Sequence, residues 1–184
     1  PGQTMEGWEK TLSDAVGLRP EHLSCYGLKL EEGTPLYQQR AELTFPDEDQ
    51  QADMYLYTVE FLKQCGYEQY EISNFARPGF ASRHNMKYWM LEEYAGFGPG
   101  ACSDFGNVRY GYERDLVRYL KGELVLQESE RVDADERERE YLMLRLRTTA
   151  GIYAEEYERT FHQQQDLSLL KQALMGGQIS MIEY

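Results

Sequence analysis

The sequence predicts an α/β protein that continues into a small, mainly helical domain. Helical and extended patterns alternate early in the chain, glycines and aromatic residues concentrate in residues 74–112, and charged helical patterns dominate after residue 113. Alternating helices and strands are typical of a sheet layer that helices cover. We therefore expect an α/β domain over residues 1–112 and a helical domain over residues 113–184.

The first predicted helix follows Thr4, which suits a helix N-cap. Apolar residues recur at three- and four-residue spacing as far as Val16, and Gly17 is expected to end the helix. Residues 23–30, Leu-Ser-Cys-Tyr-Gly-Leu-Lys-Leu, have strand character. Because a helix and a short loop precede this strand, we expect it to join a layer of parallel strands.

A second helix is predicted to open at Asp47, with acidic residues in its first turn, and to end at Gly66. Tyr67–Ser73 alternates as a strand would. Residues 74–112 hold glycines, two prolines and many aromatic residues, which is typical of an ordered functional loop system.

Four helices and a brief extended piece are expected in the rest of the chain. The helices are predicted near residues 116–120 and at residues 133–147, 153–161 and 167–174, and the extended piece at residues 124–126. The charged run at residues 133–140 is most simply a solvated helix face.

Composition excludes several functional classes. The formal charge of −13 and the pI near 4.7 argue against nucleic-acid and membrane-surface partners. No apolar run has the length of a membrane span, and residues 1–20 carry no signal-peptide pattern. Three widely separated cysteines predict a reduced, cytoplasmic protein. Both chain ends look cut from a longer protein, so the chain is expected to be a fragment.

The segment Arg83-His-Asn-Met-Lys-Tyr-Trp89 contains the sharpest candidate residue, His84. Imidazole is a ligand of metals and of haem iron. Tyr88 and Trp89 could stack on a flat macrocycle, and Asn85 could orient a ligand. The alternative is a structural His-Asn pair that pins a loop, with both rings in the core.

The segment Gly96-Phe-Gly-Pro-Gly-Ala101 is the second candidate. Gly98 and Gly100 would let the backbone approach a ligand closely. The alternative is a plain tight turn. Its spacing is not that of a dinucleotide fingerprint.

Two other residue groups give weaker indications. Cys25, Cys65 and Cys102 have no C-x-x-C spacing, which argues against a complete metal centre. Glu31, Glu32 and Glu71 could form an acid/base group, but their spacing does not require one.

Several segments, in order, resemble one family: Pro1-Gly-Gln-Thr, Glu32-Gly-Thr-Pro, Tyr70-Glu-Ile-Ser-Asn-Phe-Ala, Arg83-His-Asn-Met-Lys-Tyr-Trp, Gly96-Phe-Gly-Pro-Gly-Ala-Cys-Ser and Leu146-Arg-Thr-Thr-Ala-Gly-Ile. The family is that of radical S-adenosylmethionine (SAM) oxygen-independent coproporphyrinogen III oxidases and HemW-type haem chaperones. The His-Asn-x-x-Tyr-Trp pattern resembles the chaperone branch.

The resemblance implies the C-terminal part of a partial (β/α) barrel, followed by a truncated C-terminal domain of HemN type. The family's Cys-x-x-x-Cys-x-x-Cys motif is absent, so this chain is expected to hold no [4Fe–4S] cluster and to be inactive in SAM cleavage. Family contacts with SAM fall on Lys29 and Cys102. The chaperone signature assigns haem-iron ligation to His84.

Two functions follow from this resemblance. The first is a haem chaperone that passes haem to haem-requiring proteins. The second is decarboxylation of coproporphyrinogen III. This substrate is a polyanion and calls for basic side chains, of which the loops offer few beyond Lys29, Arg77, Arg83 and Lys87. A third possibility is a purely structural module.

Overall fold

The computed structural model describes residues 1–161, in two compact units that divide after Gly151. The helices of the described chain are α1 (Met5–Gly17), α2 (Pro35–Gln38), α3 (Glu48–Gln64), α4 (Arg83–Trp89), α5 (Leu116–Leu120), α6 (Ala134–Arg145) and α7 (Ala154–Phe161). The strands are β1 (His22–Ser24), β2 (Glu68–Glu71), β3 (Asn74–Ala76), β4 (Cys102–Phe105), β5 (Val108–Tyr112) and β6 (Leu126–Arg131).

Most of the predicted helices are confirmed. They could be predicted because the residues that cap them lie next to them in the sequence. Thr4 accepts a hydrogen bond from Gly7 N at the start of α1. Asp47 forms a capping box with Gln50 at the start of α3, and Asp133 caps α6. The helix predicted at residues 167–174 lies outside the described residues.

The first sheet has the order β1-β3-β2, and β3 is antiparallel to both neighbours. The strands β1 and β2 therefore run in the same direction, but β3 lies between them. The expected layer of parallel strands is therefore not what these three strands form, because β3 follows β2 through a short turn and pairs antiparallel with both neighbours.

The core of the first unit lies between this sheet and the helices α1 and α3. Leu12 from α1 and Leu62 from α3 are fully buried beside Tyr67 and Phe75. The Tyr67 hydroxyl donates to the carbonyl of Pro20 at 2.6 Å, so the buried ring keeps its polar group satisfied.

The second sheet is the antiparallel set β4-β5-β6. Asp104 in β4 receives two hydrogen bonds from Arg137 of α6, at 2.7 and 2.8 Å. These bonds hold the pKa of the Asp104 carboxyl below its usual value against the opposing effect of burial. Since β5 and β6 pair across residue 112, this sheet spans the predicted domain boundary, which stays a prediction.

Three local predictions were wrong. Only Leu23 and Ser24 of the predicted strand 23–30 belong to β1, and the following residues have no regular structure. Residues 74–112 are not a loop system throughout, since they contain α4 and three strands. The extended piece expected at residues 124–126 begins at Leu126 and continues to Arg131.

The described part of the second unit contains α7, in which Tyr157 and Phe161 pack at a centroid distance of 5.3 Å. Across residues 1–161, none of the helices combines the length and the apolar character that crossing a bilayer requires.

Candidate functional site

The candidate residues His84, Asn85, Tyr88 and Trp89 all lie on α4. Ser82 caps this helix by accepting a hydrogen bond from Asn85 N at 3.2 Å. The helical period places His84 and Tyr88 one turn apart on the same face. The structure thus gathers residues that the sequence alone had placed on a loop.

His84 is exposed, and its imidazole lies edge-on to the Tyr88 ring at a centroid distance of 5.0 Å. The Tyr88 hydroxyl hydrogen-bonds to His84 Nε2 at 3.0 Å. Tyr88 in turn packs edge-on against Tyr94 at 4.8 Å. Within residues 1–161, His84 Nδ1 has no hydrogen-bond partner, so one ring nitrogen remains available to a ligand.

The first turn of α4 is held by Tyr70 of β2. The Tyr70 hydroxyl accepts a hydrogen bond from Ser82 N at 3.4 Å and lies 2.7 Å from His22 Nε2. Burial raises the pKa of Tyr70, while hydrogen bonds from Ser82 N and the Asn85 side chain act in the opposite direction. Asn85 therefore orients the helix through Tyr70, and burial lowers the pKa of the neighbouring His22.

The last turn of α4 is held by a cation and a buried carboxylate. The Arg147 guanidinium lies over the Trp89 ring, 4.8 Å from its centroid, and donates to Glu71 Oε1 at 3.0 Å. Glu71 is 1% exposed and also accepts from the Asn74 side chain. Asn74 accepts from the Ser24 hydroxyl at 2.7 Å, which extends the network to β1.

The glycine-rich segment has backbone reasons for its composition. A Cβ on Gly96 would lie 2.2 Å from the carbonyl oxygen of Cys102. Gly98 and Gly100 have φ of 113° and 74°, a region that favours glycine. These features match the tight turn, and a role of Gly98, Gly100 or Cys102 in binding a ligand stays a prediction.

Lys29 and Cys102, the two residues that the resemblance assigns to SAM, are both exposed. Lys29 forms an ion pair with Glu31 at 2.9 Å, and Cys102 opens β4 opposite Gly111. In the part of the chain that the structure covers, no hydrogen bond or ion pair joins Lys29 to Cys102. Their shared role stays a prediction.

The three glutamates do not form one acid/base group. Glu31 and Glu32 are exposed, and Glu32 accepts a hydrogen bond from the Tyr37 hydroxyl at 3.0 Å. Glu71 is instead buried against Arg147. Among residues 1–161, no cluster of three or more His, Cys, Asp or Glu side chains is arranged to hold a metal ion.

A cavity of about 240 Å³ lies between α1, α3 and the segment that follows β1. Its lining is mainly apolar and comprises Pro1, Gln3, Trp8, Cys25, Tyr26, Gly27, Leu28, Phe45, Pro46, Gln51, Met54, Tyr55 and Thr58. None of these residues belongs to α4, so the cavity is separate from the His84 site.

Sequence reasoning missed Arg147 and gave no role to Tyr70 or Asn74. Arg147 and Glu71 are 76 positions apart, so no local pattern joins them. The signal that could have found them is the charged residue Glu71 inside the predicted strand Tyr67–Ser73. A glutamate on the buried face of a strand needs a cation or hydrogen-bond donors as partners.

Comparison with known proteins agrees with this architecture. The Lactococcus lactis "Heme chaperone HemW" is 37% identical over 171 residues, which cover 88% of this chain and 44% of that protein. The Synechocystis protein of the same name is 40% identical over 160 residues, which cover 83% of this chain and 39% of that protein. The chain belongs to the radical SAM HemN/HemW family.

The fold of this radical SAM family is also seen in a solved structure. The structure of Escherichia coli HemN, described as a coproporphyrinogen III oxidase and radical SAM enzyme, matches 99% of this chain and 47% of its own, with a TM-score of 0.76 and 19% identity. The predicted fold class is confirmed. No family model matches the chain. The chain spans less than half of the length of the curated relatives described above.

Proposed function

We propose that the protein carrying this chain is a haem chaperone that binds haem through His84 and delivers it to haem-requiring proteins. The carrying observation is an exposed imidazole with one available ring nitrogen, set on a helix whose two ends are held by β2 and Arg147. The curated relatives named as heme chaperones support the same function.

The chemistry of the site suits an iron macrocycle as cargo. His84 would ligate the iron, since neutral imidazole is a common haem ligand. The second ring nitrogen of a metal-bound histidine usually has a hydrogen-bond partner that orients the ring. The Tyr88 hydroxyl supplies that partner at Nε2, and the Tyr88 and Tyr94 rings supply aromatic surface beside it.

The rest of the proposal concerns cofactors and compartment. SAM and a [4Fe–4S] cluster are proposed for the full-length protein, and the described residues of this chain offer no cysteine set that fits the cluster. We place the protein in the cytoplasm, a reducing compartment, where the free thiols of Cys25, Cys65 and Cys102 would persist.

Haemin titration of the full-length protein tests this function through the Soret band. His84→Ala is expected to weaken haemin binding by at least about tenfold, since losing even an outer-shell partner of a metal ligand costs about 10–100-fold. Glu92→Ala is the matched control, because Glu92 is exposed on the neighbouring turn and, among residues 1–161, its side chain pairs at the surface with Lys87 alone.

The titration, together with an assay of coproporphyrinogen III decarboxylation on the same protein, separates the two family activities. Haemin affinity and spectrum unchanged in His84→Ala would remove His84 from the ligand role. Decarboxylation of coproporphyrinogen III without haemin binding would favour the oxidase activity instead.

A further inference from the structure

The helix that carries His84 depends on contacts outside itself. It has seven residues, or about two turns, and isolated helices of that length are marginal in water. Its first turn is held by the Tyr70 hydroxyl and its last turn by Arg147 on Trp89. The direction in which His84 is presented is therefore set by these two attachments.

The attachment at the last turn is built around a buried charge. The Glu71 side chain is 1% exposed, and a carboxylate at that depth requires a cation and hydrogen bonds. Arg147 provides the cation, and its planar guanidinium both donates to Glu71 and lies on the Trp89 ring. Lysine could keep the charge but not the planar contact.

Backbone hydrogen bonds fix the position of the Arg147 main chain. Ile72 N donates to the Arg147 carbonyl at 3.1 Å, and Thr149 N donates to the Tyr70 carbonyl at 3.2 Å. These bonds form an antiparallel bridge between Glu71 and Thr148. The main chain of Arg147 is thus aligned with the end of β2, and its side chain has a defined starting point.

We propose that Glu71 and Arg147 are positioning residues for the haem site. The buried Glu71 carboxylate fixes the plane of the Arg147 guanidinium, which fixes Trp89 and hence the angle at which α4 presents His84. Because Tyr70 precedes Glu71 in β2, two neighbouring residues of one strand hold both ends of the helix. This inference rests on the proposed function.

The decisive variant is Arg147→Lys, which keeps a cation near Glu71 and removes the planar contact with Trp89. Arg118→Lys is the matched control, since Arg118 is likewise an arginine paired with carboxylates, Glu113 at 2.6 Å and Glu123 at 2.9 Å, and lies away from α4 in sequence and pairing. The measurements on the full-length protein are haemin affinity, thermal unfolding, and the ¹H–¹⁵N signals of the Trp89 indole and the His84 imidazole.

Arg147→Lys is expected to shift the Trp89 and His84 signals while the unfolding temperature stays near that of the parent. Haemin binding should weaken about tenfold, the lower end of the 10–100-fold loss seen when a residue that orients a metal ligand is removed. The Trp8 indole signal is the internal reference, because Trp8 of α1 donates a hydrogen bond to Thr58 of α3 and should not sense a change at α4. Arg118→Lys should leave all of these measurements unchanged.

Three results decide the inference. Unchanged haemin affinity in an Arg147→Lys protein whose Trp89 signal has shifted would overturn the positioning role. Loss of affinity that only follows loss of folding, with both signals unmoved before unfolding, would also overturn it. If His84→Ala leaves haemin binding intact, the proposed function of His84 fails independently of this inference. Whether Arg147 positions α4 is then judged by the His84 signal alone, which Arg147→Lys should still shift.

Discussion

Replacing Gly96 by alanine tests whether the glycine-rich segment is shaped by its own backbone. The added Cβ would lie 2.2 Å from the Cys102 carbonyl oxygen and 3.1 Å from the Ala101 Cβ, and ordinary contact begins at 3.4 Å. The first neighbour is backbone and cannot rotate away. The Gly96 main chain must therefore move by about 1 Å, an estimate that uses the usual contact distances of packed atoms.

That movement has an energetic cost that can be estimated. Gly96 N donates to the Ser103 hydroxyl at 2.9 Å, and Ser103 is fully buried. A shift of this size breaks the bond and leaves a buried group unsatisfied, at about 1–3 kcal/mol. Overpacking adds about 1–3 kcal/mol. We expect the free energy of unfolding to fall by about 2–6 kcal/mol, the sum of the two ranges.

Urea denaturation of Gly96→Ala measures this loss, with Gly17→Ala as the matched control. A Cβ on Gly17 meets nothing within 4 Å, and its φ is not in the left-handed region, so alanine should be neutral or stabilising by up to about 1 kcal/mol. Equal stability of the two variants would refute the reasoning and reopen a ligand-binding explanation for the glycine.

Three further predictions concern stability. Leu62→Ala removes a fully buried side chain of α3 and should cost about 2–5 kcal/mol in urea denaturation; a loss below 1 kcal/mol would contradict the assigned core. Asp47→Ala removes the capping box of α3 and should cost about 1 kcal/mol, with thermal unfolding as the measurement. Arg137 lowers the folded-state pKa of Asp104 below the ordinary 3.8, so the stability that Asp104 contributes is present above that value and is lost as pH falls through the folded pKa. Asp104→Asn should therefore be less stable at neutral pH and lose less stability than the parent during acid unfolding below about pH 4, whereas parallel acid curves would remove Asp104 from this role.

The helices were predictable because their signals are local. Asp47 lies three residues before Gln50, and apolar spacing then defines the buried face of α3. α4 escaped prediction because a seven-residue helix contains too little periodicity to distinguish it from a loop. Its identity as a helix depends on contacts with residues distant in the sequence: Trp89 with Arg147, and Ser82 with Tyr70 of β2.

The sequence by itself determined the α/β class, the caps of the longer helices and the candidate residues of the His84 segment, since each depends on residues close together in the chain. Only the tertiary structure decided that β3 lies between β1 and β2, and that Glu71 meets Arg147 from 76 positions away. Strand order and buried ion pairs are set by burial and by long-range closure of the chain, which leave no periodic trace in the sequence.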